Sequence, residues 1–327
     1  MTNARDSVRC QTIAVIGAGN TGACWAGLFA AHGHPVRLYD VRLEAAEAAL
    51  ERATKAARFL VAKGLVDTGT GDERVTPPVA VPSLEDAVTG VFLVQECVPD
   101  DVVLKRAVFA DASRAAPDDA LIATSSSGLS ITSIQQASYL PGRTLAAHPY
   151  NPPHLIPLVE LAPGRSTDPA ALERAREFYL GVGKEPVIVN GDVPGYIANR
   201  MSAALWREAI ELVRSGVATV EEVDRAISSG PGLRWAVMGP HLIYHLGGGR
   251  AGIRGHVAHL TKTKEGMLRD LADWTTFPAD TADLLASGLE DEIGGKTLSE
   301  LEEDRDEALA AVVLALRGPR RSPGVSP

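Results

Sequence analysis

Short apolar runs alternate with helical patterns through the first part of the chain. A run rich in β-branched residues at 11–16 leads into the glycine-rich segment 17–22, and a helical apolar pattern continues to Ala31. After a break at Gly33, a second extended run occupies 35–39. This order of strand, glycine turn, helix and strand predicts the start of a parallel α/β sheet.

The same alternation continues to about residue 190. Helical patterns and extended runs follow one another, with helices predicted at 44–62 and 103–112 and strands at 91–95, 121–124, 144–147, 157–161 and 186–190. We therefore predict a doubly wound, mostly parallel sheet of the Rossmann type, which binds its ligands at the carboxyl ends of the strands.

The pattern changes after residue 191. Asp192-Val193-Pro194 predicts the start of a long helix that Gly216 ends, and Thr219 to Glu222 forms a capping box for the next helix. A further amphipathic helix is predicted at 298–316, and no strand pattern returns. The expected domains are a nucleotide-binding domain at 1–191, an all-helical substrate-binding and dimerisation domain at 192–317, and a disordered tail at 318–327.

Composition and charge narrow the classes of partner. The chain has 327 residues, a net charge of −9 and only three cysteines. Its acidic balance argues against nucleic acid or an anionic membrane as the main partner. No signal-peptide pattern or membrane-spanning run is present, so we expect a cytoplasmic protein with reduced thiols. His241 and His245 are spaced like metal ligands, but no complete ligand set accompanies them, and no metal site is predicted.

The glycine-rich segment points to a dinucleotide. Gly17 permits a tight turn, Gly19 lets backbone amides approach a pyrophosphate, and Gly22 lets helix and strand pack closely. Asp40 follows about 20 residues after the first glycine, where a carboxylate accepts bonds from a ribose hydroxyl and repels a 2′-phosphate. NAD is therefore favoured, although the nearby Arg42 keeps NADP open. The expected cofactor-binding residues of this segment are Gly17, Gly19, Asn20, Thr21, Gly22 and Asp40.

Several polar residues follow predicted strands, where a bound dinucleotide would meet them. His148 comes directly after a strand, and a prolyl bend returns the chain to Glu160. A histidine with a carboxylate that orients its ring can move a proton at neutral pH. The alternative is a pair that merely stabilises a loop. Glu96 and Ser127 also lie just past strand ends, and Ser127 taken alone is better explained as a plain turn residue.

Four segments together resemble the 3-hydroxyacyl-CoA dehydrogenase family. They are GAGNTG with its later aspartate, TSSSGLSITSI, HPYNPPHLIPLVEL and PGYIANR, in the order and spacing of that family. The resemblance implies that His148 is the catalytic base, Glu160 its partner, Ser127 the hydroxyl that bonds the substrate oxygen and Asn199 the amide beside it. It also implies that Glu96 and Lys105 contact the cofactor.

Two departures bear on the substrate. The loop 64–75 is short and of mixed charge where acyl-CoA enzymes have a basic projection, and 231–239 takes the place of an expected turn. The loop argues against a CoA ester as substrate, and the segment 231–239 resembles the carnitine and gulonate dehydrogenase (lambda-crystallin) branch of the family. Arg234 in the second segment suits a free carboxylate by a bidentate contact, unless it is an ordinary surface arginine on a loop.

Aromatic residues decide between substrates of that branch. A trimethylammonium group binds aromatic faces, whereas a polyol needs hydrogen-bonding groups. The expected substrate-binding residues are Tyr150, Asn151, Arg234, Trp235 and Tyr244. L-Carnitine is therefore the first choice, with L-gulonate and 3-hydroxybutyryl-CoA as alternatives, and with ordinary core packing as the other reading of the aromatics.

The predicted function is NAD-dependent oxidation of the 3-hydroxyl of a short L-3-hydroxy acid. Apolar faces on the helices beginning at Pro194 and Leu298 further predict a homodimer formed through the helical domain. A crystallin-like structural protein that only binds NAD is the non-enzymatic alternative. The presence of His148, Glu160, Ser127 and Asn199 argues against it.

Overall fold

The computed structural model describes residues 10–66 and 75–317. The strands in these ranges are β1 Ile13–Ile16, β2 Val36–Tyr39, β3 Val79–Ala80, β4 Leu93–Glu96, β5 Leu121–Thr124, β6 Thr144–Pro149, β7 Leu158–Pro163 and β8 Glu185–Ile188. The helices are α1 Asn20–Ala31, α2 Leu43–Ala62, α3 Leu84–Val88, α4 Val102–Ala115, α5 Ile131–Gln135, α6 Pro169–Gly181, α7 Ala198–Arg214, α8 Val220–Ser229, α9 Pro231–Val237, α10 Pro240–Gly247, α11 Gly252–Asp270, α12 Thr281–Ile293 and α13 Leu298–Arg317.

The eight strands form one sheet in the order β3-β2-β1-β4-β5-β6-β7-β8. Every neighbouring pair is parallel except β6 and β7, which are antiparallel and place His148 opposite Glu160. The predicted doubly wound, mostly parallel sheet is confirmed. The one antiparallel pair results from the turn at 150–157, which is too short for a helical crossover between parallel strands.

Both faces of the central part of the sheet are buried, whereas the end strands β3 and β8 are partly exposed. Along β1, Ile13 and Val15 belong to one apolar cluster with residues of α1, α2 and α6, whereas Ala14 and Ile16 belong to a second cluster with residues of α3, α4 and α5. Successive strand residues point to opposite faces, so a strand covered on both sides is apolar throughout. This explains why the strands read as continuous apolar runs.

The predicted start of α7 is wrong. The helix begins at Ala198, because Gly195 and Tyr196 both have positive φ angles, of 76° and 47°, which a right-handed helix excludes. Asp192 instead serves α5, where its carboxylate accepts hydrogen bonds from the amides of Ile131 and Thr132 at 3.2 and 3.1 Å and from the hydroxyl of Ser130. The Asp-Val-Pro sequence therefore ends the sheet region rather than starting the helix.

The chain separates into two compact units. The first unit extends to Arg200 and includes 309–313, and the second comprises the described residues of 201–308 with 314–317. Only helices are found in the described part of the second unit, which confirms its predicted helical class. The predicted boundary between residues 191 and 192 stays a prediction. The tail predicted at 318–327 and most of the loop 64–75 lie outside the described residues.

No helix in the described ranges has the length and apolar character needed to cross a membrane.

The capping box predicted for α8 is confirmed. The hydroxyl of Thr219 accepts from the amide of Glu222 at 3.2 Å, and the carboxylate of Glu222 accepts from the amide of Thr219 at 2.9 Å. The segment at 231–239, expected to replace a turn, contains the helix α9.

Candidate active site

The glycine turn between β1 and α1 is closely packed on two sides and open on the third. A Cβ on Gly17, whose φ is 99°, would lie 2.7 Å from the carbonyl oxygen of Cys97, and one on Gly22 would lie 1.9 Å from that of Gly17. A Cβ on Gly19 would meet nothing within 4 Å, and no side chain caps the start of α1 at this residue. The open side suits a pyrophosphate near the amides of a helix N-terminus.

Asp40 lies at the end of β2 and is half-buried. Its Oδ2 accepts a hydrogen bond from the amide of Ala18 at 3.0 Å, and its Oδ1 accepts one from the amide of Arg42 at 3.1 Å. A carboxylate has about four lone-pair positions, so both oxygens retain capacity for ribose hydroxyls. The same carboxylate fixes the glycine turn beside β2.

Glu96, at the end of β4, is fully buried and accepts hydrogen bonds from three partners. The amino group of Lys105 donates to Oε1 and Oε2 at 2.8 and 3.0 Å, the hydroxyl of Thr124 donates to Oε2 at 2.6 Å, and the amide of Val98 donates to Oε1 at 2.6 Å. Burial raises the pKa of Glu96, while the charge and hydrogen bonds of Lys105 oppose that rise. Thr124 was missed from the sequence because a threonine ending a strand carries no distinctive signal.

His148 and Glu160 face each other across β6 and β7. The distance from His148 Nδ1 to Glu160 Oε2 is 2.9 Å, and the side chains are 6% and 1% exposed. Because an ionised carboxylate only accepts, this contact places a proton on Nδ1 and leaves Nε2 as the acceptor. The pair has the geometry of an oriented general base.

Glu160 is held by the start of α7 as well as by the imidazole. Its Oε1 accepts hydrogen bonds from the amides of Ile197 and Ala198 at 2.8 and 3.0 Å. Burial acts to raise the pKa of Glu160, but the hydrogen bonds from His148 and these two amides outweigh it and lower the pKa below 4.5. Glu160 is thereby kept as a carboxylate.

The PGYIANR segment contributes two further contacts to His148. The ring of Tyr196 lies 5.3 Å from the imidazole, centroid to centroid, and is 2% exposed. The amide nitrogen Nδ2 of Asn199 lies 3.5 Å from His148 Nε2. The amide of Gly195 donates to the carbonyl of Ser127 at 3.0 Å, which ties this segment to the TSSSG loop.

A cavity of about 550 Å³ lies at the carboxyl ends of the parallel strands in the first unit. It brings together many of the predicted site residues with several that were not predicted. The lining residues are Thr21, Cys97, Val98, Pro99, Asp100, Lys105, Ser125, Ser127, His148, Pro149, Tyr150, Asn151 and Asn199. A 3-hydroxy acid and the nicotinamide end of a dinucleotide are of the size that such a cavity holds.

Two of the lining residues that were not predicted, Ser125 and Cys97, are half-buried polar groups. The hydroxyl of Ser125 accepts hydrogen bonds from Gln95 Nε2 at 2.8 Å and from Trp25 Nε1 at 3.2 Å. The sulfur of Cys97 lies 3.3 Å from the same hydroxyl, and burial raises the pKa of Cys97 to about 12. The thiol therefore stays protonated, as expected for a small core residue.

Lys184 anchors the turn that carries Tyr150 and Asn151. The buried amino group donates to the carbonyl oxygen of Ile156 at 2.7 Å and to that of Pro153, and it lies 4.8 Å from the ring centroid of Trp25. Burial lowers the pKa of Lys184 to about 7. The cavity wall after His148 is thus fixed to the core of the first unit.

The other predicted substrate residues belong to the second unit. Arg234 and Trp235 are exposed on α9. Arg234 therefore lies on a helix, whereas the alternative interpretation had placed it on a loop. Tyr244, on α10, stacks on the ring of His256 at 4.8 Å, and the amino group of Lys264 lies 5.2 Å from its centroid. Tyr244 therefore already has an imidazole and an ammonium as neighbours within its own unit, and its role in substrate binding stays a prediction.

The chain matches known proteins over nearly its whole length. The family model for the NAD binding domain of 3-hydroxyacyl-CoA dehydrogenase matches residues 12–193, and the model for the C-terminal domain matches 195–284. The chain belongs to the 3-hydroxyacyl-CoA dehydrogenase family. It is an NAD-dependent oxidoreductase, as predicted from the glycine turn and the later carboxylate.

Individual relatives agree with this family. An L-carnitine dehydrogenase of Streptomyces griseus is 38% identical over 93% of this chain and 90% of that protein, and one of Pseudomonas putida is 36% identical over 97% of both. A solved structure of 5-formyl-3-hydroxy-2-methylpyridine 4-carboxylic acid 5-dehydrogenase, an NAD-dependent dismutase, is 28% identical with a TM-score of 0.81, covering 95% of this chain and 100% of that one.

Proposed function

We propose that this dehydrogenase oxidises L-carnitine to 3-dehydrocarnitine with NAD, using His148 as the general base. The observation that carries the proposal is the bond from His148 Nδ1 to Glu160, which leaves Nε2 to accept a proton in the cavity. The relatives that cover most of the chain are named L-carnitine dehydrogenase, which favours that substrate over other 3-hydroxy acids.

The proton moves on this chain's own residues. In the oxidising direction, Nε2 of His148 accepts the proton of the substrate hydroxyl, and Glu160 stabilises the imidazolium that forms. In the reducing direction, the same nitrogen returns the proton to the oxygen. NAD bound at the glycine turn would supply the hydride acceptor for the carbinol carbon.

Two neutral side chains are assigned to the reacting oxygen. The hydroxyl of Ser127 and the amide of Asn199 both line the cavity with His148. Donors of this kind stabilise negative charge on the oxygen, and removing one such donor costs about 3 kcal/mol in favourable cases. We assign both residues to the substrate oxygen.

The cofactor is assigned to the turn between β1 and α1. Gly17, Gly19 and Gly22 form the open cradle for the pyrophosphate, and Asp40 retains acceptor capacity for the ribose. Asn20 and Thr21 begin α1, and Thr21 lines the cavity. Glu96 and Lys105 satisfy each other, so their contact with the cofactor remains a prediction from the family resemblance.

The substrate assignment includes the aromatic and charged residues predicted from the sequence. Tyr150 and Asn151 line the cavity, and we assign them to the carnitine backbone and its trimethylammonium group. Arg234 and Trp235 are exposed on their own unit, and a contact of Arg234 with a substrate carboxylate stays a proposal from the sequence pattern.

Initial rates of NADH formation test the proposed substrate. L-Carnitine, D-carnitine, L-gulonate, 3-hydroxybutyrate and 3-hydroxybutyryl-CoA are compared at equal NAD concentration. We expect the highest kcat/KM with L-carnitine, by at least about 10-fold over each of the others, because one well-placed charged contact is of that order. A higher value with the CoA ester or with gulonate would refute carnitine while retaining the dehydrogenase.

We also propose a homodimer formed through the second unit, in the cytoplasm. Within its described residues, few large apolar side chains are buried, chiefly Ile210, Val220 and Val223, whereas Met201 and Trp206 on α7 are 61% and 52% exposed. Such faces need a partner, and closed twofold dimers are the commonest soluble assemblies. Light scattering at low micromolar concentration tests this, since a fully active monomer would contradict it.

A further inference from the structure

Lys184 is a buried residue whose amino group pairs with no carboxylate in the described part of the chain. The residue lies between α6 and β8 and is 4% exposed. Its amino group donates to the carbonyl oxygens of Pro153 and Ile156 and lies 4.8 Å from the ring centroid of Trp25. Burying an amino group is costly unless its protons are used, and an apolar side chain of similar length would pack here at lower cost.

The first contact of Lys184 is with the turn at 150–157, which connects β6 and β7. The amino group lies 2.7 Å from the carbonyl oxygen of Ile156 and also bonds that of Pro153, so two points of the turn share one donor group. Within the turn, the carbonyl of Pro152 accepts a hydrogen bond from the amide of Ile156 at 3.0 Å. Without the amino group, the first two carbonyls would be left without a partner among the described residues.

The second contact of Lys184 leads to a different part of the cavity wall. Trp25 is fully buried, and its indole Nε1 donates to the hydroxyl of Ser125 at 3.2 Å. Ser125 in turn lines the cavity. Because an ammonium is attracted to the face of an indole, Lys184 connects the turn at 150–157 with the ring that holds Ser125.

His148 is held by contacts that do not involve Lys184. Its Nδ1 is bound by Glu160 at 2.9 Å, within the antiparallel pairing of β6 and β7. Glu160 is bound in addition by the amides of Ile197 and Ala198 at 2.8 and 3.0 Å. Loss of the amino group of Lys184 should therefore release the turn while the proposed base keeps its position.

We propose that Lys184 is a positioning residue that holds the turn at 150–157 as a wall of the substrate cavity. The turn presents Tyr150 and Asn151 to the cavity, and Lys184 itself does not line it. This inference rests on the proposed function, which assigns those two residues to carnitine. A released turn adopts several arrangements, and the apparent affinity for substrate falls with the fraction of molecules that keep the competent one.

Steady-state kinetics with L-carnitine test this role. Lys184→Met replaces the amino group with an apolar side chain of similar length, and Lys184→Gln is neutral but retains two N–H donors. We expect Lys184→Met to raise the KM for L-carnitine about 10-fold while kcat falls less than about threefold, because binding depends on the turn and proton transfer depends on His148. Lys184→Gln should raise the KM less, by about threefold, since it keeps donors for the turn.

Lys63→Met is the matched control. The amino group of Lys63 also lies over an aromatic ring, 5.5 Å from the centroid of Phe59, but neither residue lines the cavity. Its KM and kcat should stay within about twofold of the wild-type values. A fall in kcat of Lys184→Met as large as the rise in KM would overturn the inference, because a general distortion also displaces His148. An unchanged KM would overturn it as well.

Hydrogen exchange separates this inference from the proposed substrate. Exchange is measured without ligand in the wild type and the Lys184 variants, on peptides that cover the turn and the strands β6 and β7. The amides of Leu155 and Ile156 both donate to the carbonyl of Pro152 at 3.0 Å and report on the turn. Faster exchange at these amides with unchanged exchange in the strands supports the role of Lys184, even if the wild type does not turn over L-carnitine.

Two results of the exchange measurement would refute the role of Lys184. One is equal exchange of the turn in Lys184→Met and the wild type, which would show that the amino group does not hold the turn. The other is faster exchange throughout the first unit, which would show that Lys184 supports the fold as a whole. If Lys184→Met does not fold, the same results in Lys184→Gln decide.

Discussion

Two buried carboxylates at the same edge of the sheet have opposite surroundings. Glu96, after β4, accepts bonds from a lysine whose three protons are all used within the protein. Glu160, on β7, binds Nδ1 of His148, and the other ring nitrogen, Nε2, is left for the cavity that His148 lines. Under the proposed mechanism, burial and pairing alone do not make a catalytic group, because one nitrogen of the pair must also face the substrate.

The largest expected effect comes from replacing His148 and so removing its Nε2. His148→Gln should lower kcat by about 10²- to 10⁴-fold, the usual contribution of a general base, while the Kd for NAD changes little. The control is His154→Gln, since His154 lies on the same turn and contacts Cys24 Sγ at 3.2 Å. Near wild-type turnover in His148→Gln would show that the two carboxylate pairs do not differ in this way.

The second effect is on stability and concerns the buried ion pair of Glu96 and Lys105. Lys105→Met should lower the free energy of unfolding by about 3–5 kcal/mol, because it leaves Glu96 buried without its counter-charge. The double variant with Glu96→Gln should recover part of that loss. Urea unfolding measures both, with Lys262→Met on exposed α11 as the control. An unchanged midpoint for Lys105→Met would mean that the pair contributes no net stability.

A third carboxylate, Asp40, sharpens the comparison because it is half-buried and accepts hydrogen bonds from two backbone amides. Asp40→Ala should reduce the preference for NAD over NADP by about 10-fold or more, equal to about 1.4 kcal/mol, because ribose binding and repulsion of the 2′-phosphate disappear together. The ratio of kcat/KM for the two cofactors measures it. A constant ratio would assign the choice of cofactor to another residue.

The smallest effect concerns the pH dependence of stability. The pKa of Glu160 is lowered in the folded chain, so its carboxylate stabilises the fold above the unfolded pKa of about 4.5 and loses that contribution as the pH falls through the folded value. The wild type should therefore lose more stability on acidification than Glu160→Gln, by about 1.4 kcal/mol per unit of pKa difference. Parallel pH profiles of unfolding would contradict the lowered pKa.

The sequence alone determined the local elements and the chemistry of the glycine turn. The capping box at Thr219 follows from contacts within three residues, and the apolar runs and the glycine turn have local sequence patterns that predict a strand, a turn and a helix well. The pairing of His148 with Glu160 was also within reach, because a short turn brings one strand back beside the other. The resemblance to a dehydrogenase family supplied the role proposed for Asn199.

Tertiary structure decided what depends on distant partners. Asp192 was expected to begin α7, but a helix more than 50 residues earlier in the chain uses its carboxylate. Ser125 and Asp100 line the cavity, and Thr124 bonds to Glu96, only because parallel strands bring their carboxyl ends to one edge of the sheet. Whether Asp100 or the aspartate that follows it caps α4, and which of them lines the cavity, depends on backbone direction, and a linear pattern does not contain that information.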